Sequence, residues 1–391
     1  MKILITGLTL HNNKGGPALA LSLIDVLKKK FPSASYCMSV PDFENNLEKE
    51  AYWAKVYGID SVIGAVGAKE MLNLNKNKRN VFLNFLKNID LVVDLNALSY
   101  MDLPHLSYKQ NLIRNLSIYT IRYFSNLLNV PLIRWTQSYG PFSNFLTKII
   151  VKNDLKYQKN IFCRGEGSFK NIKNILPKKN IYSFPDIAIT LKKKEEYYTK
   201  YLKGKNYITL SPSSVIYSLD KEVHIEHFRK IIAYMSKLNY NVVIVPHNRM
   251  SINPSLNNCD LEVSKEIVQG CKSENIHLIV EDIDVYNLKG VISNAKLHIG
   301  ARYHSIIAAL SSNVPTIAFS WHEKYKDIMK MYGMDEYIYE RKYSINNLFK
   351  LIDDLEDNRT NITSILIENQ KKLEKDIDKN LELFMENYNE M

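Results

Sequence analysis

The sequence predicts an α/β protein of two domains, each built on a mostly parallel sheet. Three observations carry this expectation. Short β-branched strands alternate with helical stretches along most of the chain. The composition changes at the charged segment 191–198, LKKKEEYY, after which a second α/β series begins. At 391 residues the chain has room for two or three average domains. From Ser344 onward only helical patterns remain. The expected division is therefore an N-terminal domain 1–190, a C-terminal domain 191–343, and a helical segment 344–391 that can cross back.

In order, residues 2–8 read as a buried strand, and a glycine-containing loop, residues 9–16, follows it. Pro17 suits the first turn of the next helix, in which Leu19, Leu23 and Leu27 recur at helical spacing. A second strand at 36–40 completes a β-loop-α-β unit. Strands are expected again at 90–94, 132–137, 160–164 and 181–184, with a long helix at 106–128 between the first two and another near 142–154. The second series places strands at 207–211, 242–246, 277–280, 296–300 and 316–319. Two Rossmann-like domains facing a central cleft satisfy this order.

Hydrophobic residues make up 46% and charged residues 24%, ordinary values for a globular protein. The 52 Lys and Arg exceed the 41 Asp and Glu, giving a formal net charge of +11. Such an excess suits nucleic acid, anionic lipid or phosphorylated substrates, but the lysines are scattered, as on a solvated surface. Cys37, Cys163, Cys259 and Cys271 form no CxxC, which argues against a zinc site or a disulfide framework. The first apolar run is too short for a signal peptide, and no apolar run approaches the ~18 residues of a membrane span. The expectation is a cytoplasmic chain with reduced thiols.

The chemistry concentrates at 293–326. There a strand ends in Gly300-Ala301-Arg302-Tyr303-His304, an apolar helix follows, and the next strand leads to His322 and Lys324. Open α/β sheets bind ligands outside the carboxyl ends of their strands, so these two junctions read as an anion-handling site. His247 also follows a strand. The loop containing Asn13, Gly15 and Gly16 can offer backbone N–H groups to an anion or can be a plain tight turn. His298, inside a strand, reads as a core histidine. Asp284 reads as a helix cap rather than part of a D-x-D metal site. His224 and His227 read as an exposed or half-exposed helix face. Arg164 can serve a ligand or pair with Glu166.

Taken together, Asn13-Lys14-Gly15-Gly16-Pro17-Ala18, Gln137-Ser138-Tyr139-Gly140-Pro141, Arg164-Gly165-Glu166-Gly167-Ser168, Pro185-Asp186, Val245-Pro246-His247, Arg302-Tyr303-His304, Val314-Pro315 and Lys324 resemble, in order and spacing, the polysaccharide pyruvyl transferase family. The resemblance covers about residues 5–335 and implies a GT-B-like fold. It also implies transfer of a pyruvyl group from phosphoenolpyruvate to two hydroxyls of a sugar, giving a cyclic ketal and phosphate. On that reading His304 is the general acid and Arg302 a catalytic cation. Arg164, Arg302, Lys324, His322 and His247 hold the donor, and Asn13, Gly15, Gly16 and Gln137 lie toward the acceptor. The resemblance further implies no metal or cofactor, a glycan or lipid-linked acceptor, contact with the inner face of the membrane, and no nucleic-acid partner. The alternatives are a GT-B glycosyltransferase using a nucleotide sugar and a non-catalytic sugar- or nucleic-acid-binding protein.

Overall fold

The computed structural model describes residues 1–11, 13–41, 47–103, 106–249, 259–272, 275–320, 323–340 and 344–391. The chain divides into two compact units, 1–11 with 19–187 and 375–391, and 12–18 with 188–374. The loop at 12–18 belongs with the second unit, and the C-terminal helix Arg359–Asn389 contributes residues to both.

Among its described residues the first unit holds nine strands: β1 (Lys2–Thr6), β2 (Ser35–Val40), β3 (Ser61–Gly64), β4 (Leu91–Asp94), β5 (Leu98–Ser99), β6 (Leu132–Arg134), β7 (Ser138–Tyr139), β8 (Asn160–Arg164) and β9 (Asn180–Phe184). Five of them form a parallel sheet in the order β3-β2-β1-β4-β6. The central strands are apolar runs because helices cover both faces: Ile3, Leu4, Ile5, Leu91, Val92 and Val93 are fully buried. The strand expected at 132–137 leaves β4 after Arg134, because the chain changes partners. The Gln137 amide donates to the Phe162 carbonyl (3.3 Å), and the Arg164 amide donates back to Gln137 (2.8 Å).

Beneath that switch lies a buried ionic network. Arg134 binds Asp154 through Nε and Asp94 through Nη1, and Arg122 Nε donates to Asp154 (2.8 Å). Burial alone would raise the Asp154 pKa, but the two guanidiniums overcome it and hold the carboxyl below its usual range. At Asp94 burial outweighs Arg134, and the pKa is raised. Such groups persist in a core only when paired. The end of the C-terminal helix closes this side: Phe384 packs on Trp135 at 5.2 Å, and Asn380 Nδ2 donates to Thr136 Oγ1 (2.6 Å).

The second unit holds β10 (Tyr207–Ser211), β11 (Asn241–Ile244), β12 (Ile276–Leu278), β13 (His298–Gly300), β14 (Thr316–Ser320) and β15 (Ile338–Glu340). All are parallel, in the order β12-β11-β10-β13-β14-β15. That is the doubly wound order, with its reversal between β10 and β13. Among the described residues, no helix is long and apolar enough to cross a membrane.

Candidate functional site

Ligands of doubly wound sheets bind at the carboxyl ends of the strands flanking the reversal. In the second unit those ends carry Ser211, Ser213 and Ser214 after β10, His247 after β11, and Arg302 and His304 after β13. The turn out of β13 needs a glycine. A Cβ on Gly300 would stand 2.4 Å from His298 Nε2 and 2.8 Å from Ser305 Oγ. His298, fully buried, braces this turn by bonding Thr209 Oγ1 (2.9 Å) and Ser305 Oγ (3.0 Å). It is a core histidine, as its place in a strand predicts.

Arg302 is the N-cap of the helix Tyr303–Leu310. Its guanidinium grips the fully buried Asp260 through Nε (2.7 Å) and Nη2, and Nη2 also donates to Ser214 Oγ (2.7 Å). Asp260 further accepts from the Ser214 amide (2.8 Å) and the Asn248 amide (2.8 Å). One carboxylate thus ties together the chain leaving β10, β11 and β13. Sequence reasoning missed Asp260; its only signal is an acidic residue at a helix start, which reads as an ordinary favourable dipole contact.

His304 lies in the first turn of the same helix, half-buried, with its ring against the backbone of Gly15. A Cβ on Gly15 would come within 2.3 Å of His304 Nδ1. The loop expected on the acceptor side therefore packs with the residues expected on the donor. Backbone bonding puts it there: the Lys14 amide donates to the His247 carbonyl (2.9 Å), and Asn13 bridges Asn248. Asn13 Oδ1 accepts from the Gly15 amide (3.0 Å), and the Gly16 amide donates to the Asn13 carbonyl (3.2 Å). Lys14 itself is buried and paired with Asp282 at 2.6 Å. Burial lowers its pKa against the pull of Asp282. Asp284 caps the helix Val285–Ser293 by accepting from the Tyr286 and Asn287 amides, so both acids of the D-x-D have protein partners.

Lys324 projects over the rings of Tyr303 (5.2 Å) and Tyr325 (5.6 Å), beside the same helix start. His322 lies outside the described residues. The remaining expected site residues are held by their own unit. Arg164 donates to Asp186 (2.6 Å), Ser138 Oγ (2.9 Å) and the Ala97 carbonyl (2.8 Å), not to Glu166. Gln137 is fully buried; its Nε2 donates to Asp94 and its Oε1 accepts from Ser99 Oγ (2.5 Å). A separate cavity of about 350 Å³ opens at the carboxyl ends of β1, β2 and β4. It is lined by Thr6, Ser39, Asp94, Asn96 and Arg114 with apolar neighbours including Phe82 and Ile121.

Three imidazoles of the second unit are buried neutral. His247 bonds Ser211 Oγ (3.2 Å), and burial pulls its pKa down to about 4. Burial takes His298 to about 3 and His224 to about 3. The sequence predicts a half-exposed His224, but the structure buries it, with Nε2 accepting from the Ser213 amide (3.2 Å). A histidine whose folded pKa is depressed binds more protons when unfolded, so its share of stability is present above ~6.5 and lost as pH falls. The second unit is expected to lose stability from about pH 6.5 down toward pH 4. Denaturant midpoints across that range check this; a flat profile contradicts it.

A family model described as polysaccharide pyruvyl transferase matches residues 13–323. No curated protein sequence matches the chain. A solved structure of UDP-GlcNAc 2-epimerase from Neisseria meningitidis bound to UDP-GlcNAc is similar at a TM-score of 0.59 and 12% identity, covering 97% of this chain and 100% of that one. A putative UDP-N-acetylglucosamine 2-epimerase from Listeria monocytogenes gives 0.57 and 15%, covering 93% and 90%. At such identities the likeness is one of fold, the GT-B-like α/β fold with parallel sheets. The family match spans most of the chain, including the loop at Gly15 and the Arg302–His304 helix start, and by it the chain belongs to the polysaccharide pyruvyl transferase family.

Proposed function

We propose that the protein transfers a pyruvyl group from phosphoenolpyruvate to a sugar of a cell-surface polysaccharide or its lipid-linked precursor. The observation that carries this reading is the placement of His304 in the first turn of a helix whose N-cap, Arg302, is a fixed cation. His304 protonates the methylene carbon of the enol phosphate, a general-acid step of the kind histidine most often carries. One acceptor hydroxyl adds to the resulting cationic carbon and loses its proton to the histidine. Phosphate leaves, taking the proton of the second hydroxyl as that oxygen closes the ketal.

The charge of the donor is met by the helix N-terminus, by Lys324 and by Arg302. Two of the Arg302 nitrogens already serve Asp260 and Ser214, so Arg302 acts as an immobile positive charge rather than as a free bidentate fork. Within the first unit, the cavity at Asp94, Asn96 and Arg114, where polar groups converge beside apolar walls, has the character of a sugar-binding pocket.

The test is phosphate release from phosphoenolpyruvate across a panel of acceptor glycans, with mass spectrometry of the product. A ketal product and acceptor-dependent phosphate are expected. Thermal stabilisation by UDP-sugars, with none by phosphoenolpyruvate, replaces the reading with nucleotide-sugar chemistry.

A further inference from the structure

The positive charge of this chain is not evenly spread. Residues 71–156 contain eleven Lys and Arg against four Asp, a net of +7 out of +11 in under a quarter of the length. Three of the four acids, Asp94, Asp102 and Asp154, are buried. Among the described residues of this stretch, Asp90 is the one exposed acid.

Two helices dominate its surface, Tyr108–Leu127 and Phe145–Leu155. They run side by side in the same direction, joined by Asn115–Thr147 (3.0 Å) and further on by Arg122–Asp154 (2.8 Å). Their outward residues are unusually apolar: Ile113, Tyr123 and Leu127 on the first, and Phe145, Leu146 and Ile149 on the second. Phe145 is 72% exposed and Leu127 58%. Lys109, Lys152 and Lys156 are exposed among them. Aliphatic and aromatic tips set in a field of lysines, with acids withdrawn to the core, leave a face that water solvates poorly and that repels a copy of itself.

We propose that this face docks the protein on an anionic membrane surface. Phe145, Leu146 and Ile149 enter the boundary between headgroups and acyl chains, Tyr123 sits at headgroup depth, and the lysines pair with anionic headgroups. A nucleic acid would use the lysines but gains nothing from aliphatic tips, which neither stack on bases nor bind phosphate. The inference does not depend on which donor the second unit uses.

The test is co-sedimentation of the full chain with vesicles of phosphatidylglycerol and phosphatidylcholine, and with phosphatidylcholine alone. Binding to the anionic vesicles at low salt, released at high salt, is expected. Lys152→Gln with Lys156→Gln should weaken it roughly 25-fold, at about a fivefold loss per lysine. Phe145→Ser with Ile149→Ser should weaken it by about tenfold or more while leaving turnover of a soluble acceptor unchanged. Failure to sediment with anionic vesicles overturns the proposal. So does vesicle binding that is indifferent to Phe145→Ser/Ile149→Ser, and so does an RNA oligonucleotide bound as tightly as the vesicles with the same indifference.

Discussion

His304→Ala is expected to lower turnover of phosphoenolpyruvate, the proposed donor, by about 10²–10⁴-fold, with a thermal midpoint near that of the parent protein. The rate loss follows from removing the imidazole that this reading places at the helix start to carry the proton. Stability is spared because the ring is only half-buried and the turn is braced independently by His298 and Ser305. His304→Gln is the sharper comparison, since its amide fills much of the same space against Gly15 but cannot act as an acid. Equal losses in both variants place the effect in proton transfer. Activity restored by Gln would mean that His304 merely shapes the pocket, and the general-acid role would have to be abandoned.

The alternation of strands and helices, and the polar residues after β13, are legible in the chain because both are local. A strand-bound His298 with apolar neighbours has nowhere to go but the core, and Gly300 before Arg302 marks a turn where backbone and side chains crowd. What the sequence hides is partnership at a distance. Lys14 meets Asp282 across 268 positions, and nothing near either residue announces the pair. Arg164 invites a pairing with Glu166, two residues on. Yet Glu166 starts a helix with its side chain 61% exposed, while Asp186 is fully buried at the guanidinium. Burial decides between them, and burial is a tertiary property. The same holds for His224, where a pattern that reads as half-exposed is turned inward by its bond from the Ser213 amide.

Asp260→Ala is expected to destabilise the second unit by about 3–5 kcal/mol, because it strands a largely buried guanidinium and two backbone N–H groups without an acceptor. The Arg302 side chain is only 16% exposed and Asp260 not at all, so water cannot fully take the carboxylate's place. Asp260→Asn should be nearly as harmful. Its amide can offer one oxygen, but the other end becomes a donor facing Arg302 or the Asn248 amide, which are donors themselves. Chemical denaturation measures both, and a parent-like midpoint for either refutes the anchoring role. The double variant Asp260→Ala/Arg302→Met separates stability from function. Removing the cation together with its counter-ion takes away the stranded charge, so it should recover a large part of the stability that Asp260→Ala loses. Turnover should nevertheless be abolished, because the fixed positive charge beside His304 is gone. A double variant that regains both stability and phosphate release would show that Arg302 serves the fold alone, and the donor charge would then fall to Lys324 and the helix N-terminus.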